Sequence, residues 1–541
     1  MDAVRAPSPG GVVVILLPDA TVGRRTFLGL AGVAGLGGAG ALAGCSGSGQ
    51  TGQLIRSDLD LPEPFTVPLP IAPVLQPVST SGGVDRYRLE ARAADVELLP
   101  GVRTPMLTYG GGFPGPTLET RRGRPVVVEH VNSLPVPMVV HLHGGVVPAE
   151  SDGFPTDLVL PRAGAARARA TGHPHGASHD DPQAVVTTGS REYAYPGDQP
   201  AALLWYHDHR MDFTGPMVYR GLAGMHVVRD DVEDALPLPR GDRELLLMLS
   251  DKAFDADGEL LYPSLDPTLT TTPGVEDFAM EGVLGDVVLV NGAPWPVADV
   301  DAARHRLRIL NGSNARRYRL RLDPAPTSGP GFVQIGSDAG LLEAPLEVDQ
   351  LTLAPAERVD VLLDLGAYPV GSEVTVVNDL GSGSTSRVMR FRVVRAASDD
   401  TRVPERLAEV ERLDPTEATV LRTFRFTRGD VGGHSGWTIN GAPFDPVRMD
   451  ARIRSGEVER WRFVSDAHHP VHVHLAHFQV VGRGSGGLTP ADAGWKDTVD
   501  VRPGEVVEVL LRLPDLPGRY VMHCHNLEHE DMMMMSAFEV L

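Results

Sequence analysis

Four pairs of histidines, each with one residue between its two members, are the residues of this sequence best suited to bind metal. Residues i and i+2 of a β-strand point to the same side, so each pair places two imidazoles on one face. Eight imidazoles exceed the four ligands of a zinc site and suit a cluster of copper ions. Two pairs lie near the end of the chain, so one shared site requires the first and last parts of the fold to meet. The pairs are His141/His143, His207/His209, His472/His474 and His523/His525.

A second metal site is indicated by Cys524, which lies between His523 and His525. Strand alternation turns its sulfur to the opposite face, away from the imidazole cluster. His469 precedes this segment, His529 follows it, and four consecutive methionines come next. Two imidazoles, one thiolate and a weak axial thioether are the ligands of a blue-copper electron-transfer centre. The alternative for Cys524, a small buried hydrophobic residue, leaves the surrounding His and Met residues unexplained.

Short β-rich segments separated by Gly and Pro turns must position these side chains. Runs such as RPVVVEHVN, ALLWYHDH and EVVEVLLRL recur along the chain, and few stretches have helical periodicity. The pattern predicts an all-β protein, and its length fits about three β-sandwich domains. Polar, charged stretches near residues 230 and 400 mark the boundaries. The predicted domains are 65–230, 231–400 and 401–541.

The N-terminal segment has the features of an export signal. Arg24 and Arg25 precede a Gly/Ala-rich apolar stretch that ends in Leu-Ala-Gly-Cys, which resembles a twin-arginine signal with a lipoprotein cleavage box at Cys45. A transmembrane anchor is the alternative, but so many Gly and Ala residues make the stretch weakly hydrophobic. We therefore expect a signal at 1–44, a flexible tether at 45–64 and an extracytoplasmic protein, which a lipid on Cys45 would anchor to the membrane.

Composition excludes several classes of function. The chain of 541 residues, 42% of them hydrophobic, is long enough for several domains with their own cores. Its formal net charge of −21 repels nucleic acid phosphates and disfavours anionic membrane surfaces. Only two cysteines are present, one of them in the export segment, so no disulfide framework is expected. The polar segment 162–181 is predicted to be an exposed loop, in which solvated histidines are preferred over a metal site formed by His173, His175 and His179.

Several motifs together resemble those of the three-domain multicopper oxidases. HLHGG, WYHDH, HPVHVHLAHFQVV and HCHNLEHEDMMMM are similar to the four copper motifs of that family. ESDGFP, NGAPWP, RILNGSNAR, LAPAERVDVLLD and GWKDT resemble its spore-coat laccase and bilirubin oxidase branch. The resemblance extends from about Phe65 to Leu541 and implies an all-β fold of three cupredoxin-like Greek-key β-sandwich domains.

The resemblance also implies four copper ions in each chain and a role for each ligand. A mononuclear type 2 copper would be bound by His141 and His472. A type 3 copper pair would be bound by the other cluster histidines, His143, His207, His209, His474, His523 and His525. The type 1 copper would be bound by His469, Cys524, His529 and Met534. For the remaining methionines, Met532, Met533 and Met535, we prefer apolar packing against the final strand, independently of the resemblance.

The implied enzyme is a monomeric, laccase-like oxidoreductase with dioxygen as its acceptor. A small aromatic reductant would give up one electron at a time at the type 1 copper. Cys524 would pass these electrons through His523 and His525 to the trinuclear cluster, where four of them reduce dioxygen to two waters. Water formation consumes protons, and Asp152 and Glu530 match the positions where the family places acids that supply them. The alternative for both carboxylates is ordinary surface acidity.

Other functions stay open at the level of sequence. A copper-free structural relative would not need the intact ligands, and a simple blue-copper electron carrier would bind one copper instead of four. A bilirubin oxidase, or an oxidase of manganous, ferrous or cuprous ions, would keep all the ligands. No Met-rich segment typical of cuprous binding is visible outside the last motif, which argues only against the cuprous version.

Overall fold

The computed structural model describes residues 13–14, 49–162, 181–484 and 486–541. The predicted signal at 1–44 lies outside these residues apart from Val13–Val14, and Cys45 lies outside them as well. So do the histidines of the predicted 162–181 loop, His173, His175 and His179. None of the helices in the described ranges is long and apolar enough to cross a membrane. The predictions on export, lipidation and the loop histidines therefore stay predictions.

Strands form most of the described structure, and helices are few and short. The sequence favours this outcome because its segments are rich in β-branched residues and are interrupted by Gly and Pro. The α-helices are Thr214–Tyr219, Asp231–Asp234 and Leu527–Asp531. The 3-10 helices are Ser81–Gly83, Ala149–Ser151, Gly241–Arg243, Asp277–Ala279, Leu365–Ala367, Gly383–Ser386 and Pro490–Asp492.

The first β-sandwich packs two four-stranded sheets around an apolar core. Leu89 and Val128 of sheet 1 meet Leu118 and Leu142 of sheet 2, and burying each side chain contributes roughly 1.5–3 kcal/mol. Sheet 1 consists of Asp85–Leu99, Val102–Tyr109, Val126–Asn132 and Ser190–Tyr195. Sheet 2 consists of Gly115–Arg121, Val140–His143, Ala202–Asp208 and Ala223–Arg229. A small two-stranded sheet beside them joins Val159–Leu160 and Thr187–Thr188.

The second β-sandwich has a seven-stranded and a five-stranded sheet. Leu307 and Val361 of sheet 3 pack with Leu320 and Phe391 of sheet 4 in one core. Sheet 3 consists of Glu244–Lys252, Val287–Val290, Ala293–Pro294, Arg304–Asn311, Phe332–Ser337, Gly340–Val348 and Arg358–Asp364. Sheet 4 consists of Val297–Ala302, Tyr318–Asp323, Leu351–Leu353, Glu373–Asn378 and Arg387–Ala396.

The third β-sandwich again pairs two sheets, with Trp461 and Phe463 of sheet 5 facing Val471 and Tyr520 of sheet 6. Sheet 5 consists of Val13–Val14, Val420–Val431, His434–Ile439, Val458–Ser465, Phe478–Arg483 and Val506–Arg512. Sheet 6 consists of Met449–Ile453, His469–Val473, Thr498–Val501, Gly518–Cys524 and Met535–Val540.

Each sandwich mixes parallel and antiparallel neighbours. Gly115–Arg121 lies parallel to Ala223–Arg229 in the first sandwich, and Val420–Val431 lies parallel to Val458–Ser465 in the third. Parallel neighbours need long crossover connections, which is the pattern of Greek-key sandwiches and not of simple hairpin meanders. The predicted fold class, all-β with three cupredoxin-like sandwiches, is confirmed. The exact limits of the three domains stay predictions.

The segment 49–64, predicted to belong to a flexible tether, is bound to the second sandwich. Gln53–Leu54 forms a short parallel strand pair with Val283–Leu284. The side chain of Gln50 donates to the carbonyl oxygen of Arg317 at 2.6 Å and accepts from its N–H at 3.0 Å. The folded part of the chain therefore begins earlier than Phe65, because main-chain pairing fixes this segment.

Candidate metal centres

The four histidine pairs lie at the ends of strands in sheet 2 and sheet 6, and their rings meet between the first and third sandwiches. His141 lies opposite His207 in the pairing of Val140–His143 with Ala202–Asp208. His472 lies opposite His523 in the same way in sheet 6. The other cluster histidines occupy the end of a strand or the position just after one: His143, His209, His474 and His525. The structure therefore brings together the first and last parts of the chain.

All eight imidazoles are buried and share one space. His141 stacks on His474 with ring centroids 3.7 Å apart, and His143 stacks on His472 at 3.6 Å. Each of these contacts joins a ring of the first sandwich to a ring of the third. The cluster is thus built across the interface and needs both sandwiches.

The hydrogen bonds of His141 and His472 leave two nitrogen lone pairs facing each other. Nδ1 of His141 donates to the carbonyl oxygen of Asp152 at 2.6 Å, and Nδ1 of His472 donates to that of Asp497 at 2.9 Å. Each Nε2 then carries a lone pair, because the bond made by one nitrogen sets the state of the other. These two Nε2 atoms are 3.4 Å apart. Two lone pairs repel at this distance unless a cation binds both.

The Nε2 atoms of two further histidines converge on that of His523. Its Nε2 lies 3.2 Å from Nε2 of His209 and 3.2 Å from Nε2 of His474. Nδ1 of His474 donates to Oδ2 of Asp152 at 2.7 Å, and Nδ1 of His523 donates to the carbonyl oxygen of Cys524 at 3.1 Å. Their Nε2 lone pairs therefore point into the shared space. One ligand atom from each of the three histidines lies within 4.8 Å of the others, which fits a bound metal ion.

His143, His207 and His525 surround a third space, with ring centroids 5.0 to 5.8 Å apart. Among the described residues, Nδ1 of His143, Nε2 of His207 and both ring nitrogens of His525 are buried without a hydrogen-bond partner. Buried polar atoms without partners are costly and rare in folded proteins. These orphaned nitrogens fit ligands of a further metal ion.

Burial favours the neutral form of seven of the cluster histidines, because a charged imidazole would lose its hydration. Metal ions bind the unprotonated nitrogen, so neutral rings are ready to coordinate. Burial lowers the pKa to about 3 for His207 and about 4 for His209. It lowers the pKa well below the usual range for His141, His143, His472, His474 and His525.

Cys524, His469 and His529 form a second centre beside the cluster. Nδ1 of His469 and Nδ1 of His529 are 3.0 Å apart, and Sγ of Cys524 lies 3.4 Å from the first and 3.6 Å from the second. Nε2 of His469 donates to Asp466 at 3.2 Å, which leaves its Nδ1 lone pair facing the sulfur. Burial raises the pKa of the Cys524 thiol well above its usual range. A thiolate is therefore stable here only beside a cation, and the three atoms fit a soft metal ion.

The four methionines after this centre divide between two cores. Met532 and Met534 pack with Cys524 in the core of the third sandwich. Main-chain hydrogen bonds hold Met534 beside the centre, since its N–H donates to the carbonyl oxygen of His529 at 3.0 Å and its carbonyl accepts from the N–H of Cys524 at 3.1 Å. A separate apolar cluster contains the other two methionines, Met533 and Met535.

Asp152 and Glu530 are both fully buried beside the cluster, so the alternative of surface acidity is wrong. Oδ2 of Asp152 accepts from His474, whereas its Oδ1 has no hydrogen-bond partner among the described residues. Burial raises the pKa of Asp152 well above its usual range, which favours the protonated carboxyl group. Glu530 lies 3.0 Å from Nδ1 of His523 and 3.5 Å from Nδ1 of His209. Burial raises the pKa of Glu530, but these two imidazoles outweigh it and lower the pKa to about 2.

Gly153 allows the loop that carries Asp152 to lie against the cluster strand. Its φ is 85°, and an added Cβ atom would lie 2.2 Å from the carbonyl oxygen of Val140. Gly153→Ala is therefore expected to lower the free energy of unfolding by roughly 1–3 kcal/mol more than Gly504→Ala. Gly504 has a φ of 71° and open space around it, so it controls for backbone strain alone. Urea unfolding of the copper-depleted variants measures the difference, and equal losses would rule out the clash.

Sequence reasoning missed Asp497, although the GWKDT motif contains it. Its Oδ1 lies 3.1 Å from Nε2 of His143. Arg358 of the second sandwich donates to both oxygens of this carboxylate, at 2.7 and 2.5 Å. No spacing along the chain links residues 358 and 497, so the only signal in the sequence was the presence of both in motifs.

Comparison with known proteins agrees with the two metal centres described above. Multicopper oxidase family models match residues 90–163 and 412–541. The laccase of Bacillus subtilis (strain 168) is 33% identical over 88% of this chain and 98% of that protein. The bilirubin oxidase of Albifimbria verrucaria is 35% identical over 88% of this chain and 81% of that protein. A multi-copper oxidase crystal structure from Pediococcus acidilactici superimposes with a TM-score of 0.76 at 30% identity, covering 90% of this chain and 94% of that one.

An all-β fold with an imidazole cluster next to a His₂Cys centre defines a copper-dependent redox protein. With these similarities over most of its length, the chain belongs to the multicopper oxidase family. It is a copper oxidoreductase of the laccase type that uses dioxygen as acceptor. The prediction of four copper ions per chain is confirmed.

Proposed function

We propose that this protein oxidises small phenolic or aromatic donors by one electron at a time and reduces one dioxygen to two waters with four such electrons. The position of Cys524 carries the proposal, because this residue belongs to the sulfur centre while its two chain neighbours belong to the imidazole cluster. Peptide bonds therefore join Cys524 of the sulfur centre directly to His523 and His525 of the imidazole cluster. An electron accepted at the sulfur centre can reach the cluster along the backbone.

The arrangement of lone pairs supports a specific assignment of ligands. His141 and His472 would hold the type 2 copper between their facing Nε2 atoms. One type 3 copper would be held by His209, His474 and His523. The other would be held by His143, His207 and His525 through their orphaned nitrogens. The type 1 copper would be held by His469, Cys524, His529 and Met534.

Copper at these positions would supply the one-electron chemistry that amino-acid side chains lack. The chain itself provides buried imidazoles at the cluster, held in place by hydrogen bonds and ring stacking. It also brings the sulfur centre close to solvent, because His469 donates to Asp466, whose side chain is 41% exposed. A donor that docks at Asp466 would therefore be one hydrogen bond away from a ligand of the type 1 site.

Asp152 is the proposed source of protons for water formation. Burial raises its pKa and so favours the protonated form, its Oδ1 has no hydrogen-bond partner among the described residues, and its other carboxyl oxygen accepts from His474. The pKa of Glu530 is lowered instead, which favours the ionised carboxylate, and this carboxylate lies between His209 and His523. It would orient these two rings and balance positive charge at the cluster.

Met534 is the proposed axial ligand of the type 1 site, and Met534→Leu is expected to raise its reduction potential. A weak axial thioether changes the potential more than it changes copper affinity. Leucine replaces the thioether at nearly constant volume, so the fold should be unaffected. Redox titration of the blue absorption band measures the shift. Matched variants are Met532→Leu, Met533→Leu and Met535→Leu, and a larger shift in any of these three would assign the axial position elsewhere.

Oxygen uptake by the copper-loaded protein tests the proposed function. The panel should contain a simple phenol, an aromatic amine, bilirubin, and manganous, ferrous and cuprous ions. We expect uptake with the phenol and the amine. Uptake only with metal ions would make the protein a metal-ion oxidase, and uptake only with bilirubin would narrow the donor to that pigment class. The proposal would be refuted if the fully copper-loaded protein consumed no oxygen with any donor in the panel.

We further propose that the protein is exported by the twin-arginine route and works as a monomer outside the cytoplasm. The paired arginines and the Leu-Ala-Gly-Cys box support the export route, and lipid on Cys45 would keep the protein at the membrane surface. Cell fractionation of the wild type and of Cys45→Ala tests the anchor. Release of the variant into the soluble extracytoplasmic fraction is expected, and an unchanged distribution would exclude the lipid.

A further inference from the structure

The second sandwich inserts two arginines into the third, one near each proposed metal centre. Arg358 pairs with Asp497 beside the imidazole cluster, and Arg317 pairs with Asp500 beside His468. The two aspartates lie three positions apart in one segment of the third sandwich. None of the twelve proposed copper ligands comes from residues 244–396, so the second sandwich affects the centres through contacts of this kind.

Arg358 is held so rigidly that its guanidinium has one orientation. It is completely buried, and its Nη1 and Nη2 donate to the two carboxylate oxygens of Asp497. Its remaining N–H groups donate to main-chain carbonyl oxygens: Nε to Leu203 at 3.0 Å, Nη1 to Ala356 at 3.1 Å and Nη2 to Asp338 at 2.9 Å. Leu203 belongs to the strand that leads to His207 and His209, so the arginine joins all three sandwiches.

Asp497 in turn contacts two cluster histidines through different atoms. Nε2 of His143 lies 3.1 Å from its Oδ1, and Nδ1 of His472 donates to its carbonyl oxygen at 2.9 Å. The first contact leaves Nδ1 of His143 facing the cluster, and the second leaves Nε2 of His472 facing it. Asp497, together with the neighbouring Thr498 hydroxyl at 3.1 Å from Nε2 of His143, thus determines which nitrogen is available on two rings that stack on each other. Thr498 supports the arrangement by donating to Oδ1 of Asp497 at 2.9 Å.

Gly144, which follows His143, lies so close to this ion pair that no side chain fits between them. Gly144 has a φ of 83°, and an added Cβ atom would lie 2.6 Å from Nη2 of Arg358 and 2.8 Å from Oδ2 of Asp497. The pair therefore packs directly against the backbone that carries the ligand. A shift of the guanidinium would be transmitted to His143 because no empty space separates them.

We propose that Arg358 is a positioning residue of the copper cluster: by holding Asp497 at both carboxylate oxygens it fixes the coordinating nitrogen of His143 through the carboxylate and that of His472 through the main-chain carbonyl of the same residue. The proposal rests on the assignment of these two histidines as ligands under the proposed function. Lysine would keep the positive charge but could not hold both oxygens in one plane, because only a guanidinium has that fork. Arg317 serves as the matched control, since its aspartate contacts His468, which is not a proposed ligand.

The test compares Arg358→Gln, Arg358→Lys and Arg317→Gln with the wild type. Each copper-loaded protein is titrated with a copper chelator while the electron paramagnetic resonance signal of type 2 copper and the blue absorption are recorded. In Arg358→Gln we expect the type 2 signal to disappear at roughly 10–100-fold lower chelator concentration, the usual effect of losing a residue that orients a ligand. The blue band should persist. Arg358→Lys should lie between this variant and the wild type, and Arg317→Gln should retain type 2 copper as the wild type does.

Several results would overturn the proposal. Release of type 2 copper by both Arg358 variants at the wild-type chelator concentration would show that the arginine does not position the cluster. The arginines would be shown only to hold the sandwiches together by either of two results. One is loss of the blue absorption together with the type 2 signal in both Arg358 variants. The other is release of type 2 copper from Arg317→Gln at the same low chelator concentration as from Arg358→Gln. A wild type that binds a single copper would instead refute the proposed function, so the two failures are distinguishable.

Discussion

Replacing Cys524 with serine is expected to abolish both the blue absorption of the copper-loaded protein and its oxidation of phenolic donors. The blue colour requires charge transfer from a thiolate to copper, and Cys524 is the only cysteine at the described centre. A serine hydroxyl is a harder ligand that leaves the two imidazoles without sulfur. The cluster nitrogens come from the other face of the strand, so the cluster copper should stay bound. Absorption spectroscopy, copper analysis and oxygen uptake measure the three effects.

Met522→Leu is the matched control for this variant. Met522 is buried in the same core and lies two residues before Cys524 on the same strand. Leucine conserves its volume, so colour and activity should be retained. A blue band that persists in Cys524→Ser would contradict the assignment of the type 1 centre. Loss of the blue absorption in Met522→Leu as well would show that any change in this part of the core removes the colour, so the loss in Cys524→Ser could not be assigned to the thiolate.

Asp152→Asn is expected to slow oxygen reduction by about 10²- to 10⁴-fold, the usual contribution of a positioned acid. The amide keeps the shape of the side chain but carries no transferable proton. Electron entry at the sulfur centre should continue, so the blue band should bleach during turnover and recover slowly when the donor is exhausted. Stopped-flow absorption combined with an oxygen electrode separates the two steps.

Glu150→Gln provides the control, because this carboxylate is exposed and lies two residues away in the same loop. It should leave both steps unchanged. If Asp152→Asn consumes oxygen at the wild-type rate, Asp152 is not the proton source. If the blue band stays oxidised while uptake falls, the defect lies in electron entry and the proposed role is wrong.

The histidine pairs could be found from the sequence because strand geometry alone makes residues i and i+2 neighbours. His141 and His143, for example, need only the strand Val140–His143 to point into one space. Cys524 followed from the same rule, since alternation separates it from its neighbours. Local spacing was therefore enough to predict both kinds of donor set and the all-β fold that carries them.

The supporting contacts could not be found in this way, because they join distant parts of the chain. Arg358 and Asp497 meet only after the second and third sandwiches pack together. The burial of Asp152 and Glu530, which decides between a proton source and a surface acid, also depends on packing between the first and third sandwiches. The anchoring of Gln53–Leu54 against Val283–Leu284 is another contact that a proline-rich, tether-like sequence does not indicate.

The stoichiometry of oxygen reduction tests the central claim most directly. Copper-loaded protein is mixed with an excess of a phenolic donor, and dioxygen consumed, donor oxidised and hydrogen peroxide formed are measured in the same reaction. A covalent link from the sulfur centre to a complete three-copper cluster predicts four donor electrons for each dioxygen and no hydrogen peroxide. Two electrons for each dioxygen with accumulation of hydrogen peroxide, in protein that holds its full copper complement, would contradict the account.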